Sequence, residues 1–121
     1  MSNNTLITLT NPRSTAAEAY RTLRTNIEFS SVDEQLRTLL VTSPAPADDK
    51  SATVANLAVA MADGDRPVIL VDADLRRPMQ HTLFNLSNDK GFTNLFRDDE
   101  AFKDPPFQTV PDTSLRVLTS G

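Results

Sequence analysis

Residues 51–64, SATVANLAVAMADG, constrain the fold more than any other stretch of the chain. Their period is helical: Val54, Leu57, Ala58 and Met61 line one side, and Ala55, Val59 and Ala62 line another. A helix apolar over so much of its circumference has to be buried on more than one side. Short apolar runs rich in β-branched residues flank it, Leu36 to Thr42 (LRTLLVT) before and residues 68–74 (VILVDAD) after. Both runs suit buried strands. A strand, a helix and a strand joined by a crossover of this length predict a right-handed βαβ unit with parallel strands. Gly64 supplies the helix stop.

Upstream, Thr15-Ala-Ala-Glu18 reads as a capping box, after which Ala16, Ala19, Tyr20, Leu23 and Ile27 recur at helical spacing. They share one face and predict an amphipathic helix ending near Ser30-Ser31. Glu18, Arg21, Arg24, Thr25 and Glu28 fall on the opposite face. Residues 1–13 carry no strong period and read as a flexible arm. Downstream, residues 78–85 (PMQHTLFN) and 91–97 (GFTNLFR) read as short helices, and Asp98 to Pro106 as a surface loop. The final LRVLTSG reads as another strand, and there is no internal repeat.

The whole sequence bounds the chemistry. With 121 residues the chain is one domain or part of a larger one. A 39% hydrophobic and 23% charged composition is that of an ordered globular protein. The net charge of −4 argues against a nucleic-acid partner. Having no cysteine excludes disulfides, thiolate metal sites and cysteine nucleophiles, and the single histidine, His81, excludes a multi-histidine site. MSNNTLITLTNPRS lacks the basic head and apolar core of a secretory leader. No run of about 18 apolar residues occurs, so no membrane-spanning helix is expected.

Chemistry enters at residues 43–52, SPAPADDKSA, a loop between a strand and a helix. A phosphate cradle gathers backbone N–H groups on an anion at a helix start, a lysine reaches the phosphates, and a Ser or Thr hydroxyl ligates magnesium. Lys50 and Ser51 supply the last two parts. The glycines of the G-x-x-x-x-G-K-S/T pattern are replaced by Pro44 and Asp49. On the next strand, side-chain alternation puts Asp72 and Asp74 on one side at its carboxyl end, the edge where open α/β sheets bind ligands. Two readings stand for this pair: ligands of a bound group, or caps of the next helix and partners of Arg76 and Arg77.

Taken together, EAYRTLRTNIEFS, LLVTS…KSATVANLAVAMA and VILVDADLRRP…H…F resemble the bacterial tyrosine kinases of capsule and exopolysaccharide synthesis, over roughly residues 11–121. That family belongs to the deviant-Walker branch of P-loop proteins, with the MinD and ParA ATPases. The resemblance implies a P-loop three-layer α/β sandwich with a mainly parallel sheet, here incomplete on its C-terminal side. It implies a nucleotide loop of Ala47, Asp48, Asp49, Lys50, Ser51 and Ala52 holding ATP and Mg2+, with Ser51 and Asp72 on the metal. Asp72, Asp74 and Lys50 would be the catalytic residues, the carboxylates orienting or deprotonating a tyrosine hydroxyl. Glu18, Arg21 and Arg24 match the family's E-x-x-R-x-x-R subunit-contact motif, which builds a ring whose neighbours phosphorylate one another. Their other reading is a solvated face with i,i+3 pairing. A membrane-embedded chain-length or activator protein is the implied partner, and the chain is expected in the cytoplasm, peripheral to the inner face of the membrane.

Departures from the family pattern set further expectations. Where the family reads P-G-E-G-K-S-T, this chain has Pro46-Ala47-Asp48-Asp49-Lys50-Ser51-Ala52. A carboxylate about 5 Å from a phosphate costs on the order of 3 kcal/mol at an effective dielectric near 20, before screening. The family's Walker B aspartate strand and terminal tyrosine cluster find no counterpart, and Tyr20 is the only tyrosine. Weak or absent kinase activity is therefore expected of the chain alone. A non-catalytic interaction module and a MinD/ParA-type positioning ATPase are the competing readings.

Overall fold

A computed structural model of the chain describes residues 6–30, 37–42, 48–64 and 66–121, with only the backbone of residues 48 and 49. Among these residues the helices are α1 (Ile7–Thr10), α2 (Thr15–Phe29), α3 (Asp48–Ala62), α4 (Gln80–Leu83) and α5 (Asp99–Lys103), with a 3-10 helix at Phe92–Phe96. The strands are β1 (Ile69–Val71), β2 (Gln108–Thr109) and β3 (Arg116–Leu118). The fold is α/β, with one small mixed sheet.

The sheet order is β1-β3-β2. β1 and β3 run parallel in the register Leu70↔Val117, and β2 pairs antiparallel with β3 in the register Gln108↔Val117. Asp112 adopts a left-handed φ of 64° in the turn between β2 and β3, a conformation that Asp tolerates better than most residues. The core forms where α3 meets the sheet, and it joins Ala55, Ala58, Val59 and Ala62 to Leu70, Phe84, Val110, Leu115 and Val117. Burial of α3 over most of its surface agrees with its all-round apolar sequence.

The α3 C-terminus leaves carbonyls that its own helix cannot satisfy. Arg24 Nη1 donates to the Ala60 carbonyl at 2.7 Å, and Ser114 Oγ donates to the Ala62 carbonyl at 3.2 Å. The first contact decides how α2 sits. Ala17 is fully buried, Tyr20, Arg21, Arg24, Thr25, Ile27 and Glu28 are half-buried, and Ala16, Ala19 and Leu23 are exposed. The inward side of α2 thus takes Tyr20 and Ile27 from the apolar stripe together with Arg21 and Arg24 from the polar one. Long arginine stems pack well while their heads find partners.

Other expectations are corrected. Residues 37–42 form no strand and are largely exposed, with Leu40 86% accessible, while Leu36 lies outside the described residues. A strand needs a hydrogen-bonding neighbour, and none faces this run among the described residues. The parallel pair is instead β1 with β3. β1 is also shorter than the expected 68–74, and Ile69 and Val71 are 42% and 43% exposed.

The α2 N-cap is Ser14, whose hydroxyl accepts from Ala17 N at 3.1 Å, while Glu18 pairs forward with Arg21. Within the expected arm, Ile7–Thr10 make a helical turn against α3, fixed by Thr8. Its N–H and hydroxyl donate to Asn56 Oδ1 at 3.0 and 2.8 Å. Residues 1–5 lie outside the described residues. Within the expected 98–106 loop, α5 forms, N-capped by Asp98 Oδ1, which accepts from Glu100 N.

Candidate functional site

The site lies where β1 ends and α3 begins. Asp72 continues the β1–β3 ladder by one bond, its N–H donating to the Leu118 carbonyl at 2.9 Å. Its side chain is buried, 5% exposed. Oδ1 accepts from Asp74 N at 3.1 Å, and Oδ2 accepts from Met79 N at 3.2 Å and Gln80 N at 3.1 Å. One carboxylate thereby folds the 72–80 loop and satisfies the start of α4.

Asp74 lies two residues on and is more open. Its Oδ1 accepts from the backbone N–H groups of Arg76 and Arg77, at 3.2 and 3.1 Å. Oδ2 lies 3.5 Å from Lys50 Nζ, on the first turn of α3. The Arg77 N–H does most to hold the Asp74 carboxyl below its usual range; desolvation opposes the shift, and the Arg76 N–H and Lys50 add to it.

A second tie joins the same elements. Gln80 Nε2 donates to the Ser51 carbonyl at 3.1 Å, while the Gln80 N–H donates to Asp72. Lys50, Ser51, Asp72 and Asp74 are therefore gathered at one place through contacts between α3 and the loop after β1. Of the other sequence-predicted nucleotide residues, Ala52 lies in α3. Asp48 and Asp49 are known there by backbone alone, and Ala47 lies outside the described residues.

Both readings of the aspartate pair find contacts here. The carboxylates do cap the following loop and helix through backbone N–H groups, and Asp74 also reaches the lysine. Glu18, Arg21 and Arg24 are not brought to this site. Arg21 Nη2 donates to Glu18 Oε2 at 2.7 Å within α2, and Arg24 turns to α3. Gln80 was missed from sequence because a lone glutamine in a short helix reads as solvated; its burial comes from contacts 8 and 29 residues away.

A hydroxyl and carboxylates are the hard oxygen donors that Mg2+ takes. Among the described residues no group of three or more His, Cys, Asp or Glu side chains could hold a metal ion by itself.

Known proteins share this arrangement of chain. No family model matches. Tyrosine-protein kinase YwqD of Bacillus subtilis (strain 168) is 45% identical over 116 residues, which are 96% of this chain and 48% of that protein. Tyrosine-protein kinase etk of Escherichia coli (strain K12) is 35% identical over 91 residues, 75% of this chain and 12% of the relative. Among solved structures, the chimerical protein CapA2B2 superposes with a TM-score of 0.89 at 37% identity, covering 98% of this chain and 51% of that one. The kinase domain of Escherichia coli tyrosine kinase ETK gives 0.83 at 29% identity, covering 93% and 44%.

Fold and sequence together define a bacterial tyrosine kinase-type α/β chain. The protein belongs to the bacterial tyrosine kinase family, and it spans 48% of the length of YwqD and 12% of that of etk.

Proposed function

We propose that the chain supplies the nucleotide-binding part of a P-loop, ATP-dependent protein-tyrosine kinase domain that regulates capsule or exopolysaccharide synthesis. The observation that carries this reading is the 3.5 Å approach of Lys50 to Asp74 across the α3–β1 junction, with Ser51 and Asp72 tied to the same junction.

Lys50 exchanges its Asp74 partner for the phosphates of ATP. The Ser51 hydroxyl and Asp72 hold the accompanying Mg2+, with Asp74 at the rim to orient or deprotonate the accepting hydroxyl. When bound, the ion neutralises phosphate charge. The rest of the catalysis is positioning of an in-line transfer, with little covalent work by the protein.

The loop lowers the expected activity. In the sequence, Ala47 and Asp49 stand where the family pattern has glycine, so a carboxylate replaces a residue that leaves room for phosphate at the helix start. This observation favours a second reading, a non-catalytic module of a kinase ring. In either case the ring contact draws on the Glu18–Arg21 pair of α2, with exposed Ala16, Ala19 and Leu23 on the helix's other face. A membrane-embedded chain-length or activator protein completes the assembly on the cytoplasmic side. Among the described residues no helix is long and apolar enough to cross a membrane.

Calorimetric titration with Mg2+·ATP separates the readings. Saturable binding that Lys50→Ala abolishes supports a working site. Absence of binding, restored by Asp49→Gly with Ala47→Gly, supports a decayed one. Absence of binding in both chains refutes the nucleotide reading.

A further inference from the structure

Gln80 is buried, 5% exposed, and fastened at three of its four polar groups, its carbonyl accepting from Phe84 N at 3.0 Å. Its N–H is on Asp72 Oδ2 and its Nε2 on the Ser51 carbonyl, both at 3.1 Å. Its Oε1 is buried with no hydrogen-bond partner. The amide cannot be turned to relieve this, because the Ser51 carbonyl only accepts and must face the nitrogen. A buried acceptor left open is unfavourable, and in a native site it marks the place of an absent donor.

The surroundings indicate which donor. Gln80 bridges the two residues read above as Mg2+ ligands, Ser51 and Asp72. Asp72 has little capacity left: a carboxylate offers about four lone-pair sites, and three backbone N–H groups already use them. A magnesium ion here would therefore retain several waters. Metal-bound waters are strong donors, and they need acceptors in the surrounding shell to hold them in place.

We propose that Gln80 is a positioning residue whose Oε1 accepts a hydrogen bond from a water of the bound Mg2+, linking the ion to both α3 and the loop after β1. The inference rests on the nucleotide reading above and adds a residue to it. Gln80 would not touch the reacting atoms; it acts through the water.

The test measures binding of ADP to the full chain with excess Mg2+ and with EDTA, alongside thermal melting, for wild type, Gln80→Met and Gln80→Glu. Met keeps the volume but removes both the acceptor and the Nε2 donor on the Ser51 carbonyl, whereas Glu loses the donor and keeps an acceptor oxygen. Gln80→Met is expected to lose about 10- to 100-fold of the affinity that Mg2+ adds, the usual effect of removing an outer-shell partner. Both variants lose the Nε2 bond to Ser51, so their EDTA affinities and melting temperatures should fall together, while Gln80→Glu alone should retain the Mg2+ increment. A merely structural role would instead lower the Mg2+ increment equally in the two variants.

An unchanged Mg2+ increment in Gln80→Met overturns the proposal and leaves the nucleotide reading standing. Should Gln80→Met fail to fold, loss of the increment in a folded Gln80→Glu chain overturns it equally. No ADP binding by wild type under either condition refutes both.

Discussion

Removing the Asp72 carboxylate should unfold much of the junction before any question of chemistry arises. Three backbone N–H groups, those of Asp74, Met79 and Gln80, converge on it. Asp72→Ala leaves all three without an acceptor. Gln80 is buried and Met79 and Asp74 are half-buried, so water replaces the lost partner only in part. At about 1–3 kcal/mol for each unsatisfied buried donor, and less for the more open ones, the loss sums to roughly 3–5 kcal/mol. That is a large share of the 5–15 kcal/mol, roughly, that holds a domain together. Asp72→Asn keeps one carbonyl acceptor. Turned toward Met79 and Gln80, it places its NH2 against the Asp74 N–H, and the loss should fall to about 1–2 kcal/mol. Urea denaturation followed by far-UV circular dichroism measures both variants. With a slope of about 1–3 kcal/mol per molar urea, the Ala midpoint should drop by about 1 M or more. An Asp72→Ala chain within about 0.5 kcal/mol of wild type would refute the capping account and free Asp72 for a purely chemical role.

Three further outcomes follow from the contacts. Gly91→Ala would drive a Cβ onto the Thr119 carbonyl oxygen and to 2.6 Å from Gly121 N, displacing the bonds from Phe92 N to Thr119 and from Thr93 N to Ser120. It should cost about 2 kcal/mol or more, and amide exchange at Phe92 and Thr93 should quicken in step. Arg24→Ala removes the donor on the Ala60 carbonyl and should cost about 1 kcal/mol with no change in hydrodynamic size. A changed oligomer at unchanged stability would instead make Arg24 a subunit contact. Asp74 is held below its ordinary value of 3.8, so its stabilising share is present above that pH and is lost as pH falls through the depressed folded-state value. The gap in urea midpoint between wild type and Asp74→Asn should accordingly narrow from about pH 6 to about pH 3, and a constant gap would contradict the assignment.

The comparison of α2 with α3 shows how far a sequence pattern carries. All-round apolarity in α3 admits few outcomes, since any exposed side would put Ala55, Val59 or Leu57 in water; burial follows whatever the neighbours are. α2 offers weaker discrimination. Tyr20 and Ile27 of its apolar stripe are half-buried, and the gain from burying the rest, two alanines and a leucine, is small. A charge-assisted bond from Arg24 to an unsatisfied carbonyl and the packing of arginine stems outweigh it. Residues 37–42 show the same limit for strands. Composition makes the run fit for a sheet, but pairing is supplied by another segment, and Leu39 and Leu40 stand exposed.

By itself, the sequence determined the α/β class, the burial of α3, a strand within residues 68–74 that leads toward Asp72 and Asp74, and the family motifs around Lys50. Those features depend on local period or on residue type. Only the tertiary structure decided which face of α2 turns inward, that Asp72 carries three N–H groups, and that Gln80 joins Ser51 to Asp72. Each of these depends on hydrogen bonds between groups that chain folding alone brings within about 3 Å, and a side chain's preference for them is not written in its neighbours.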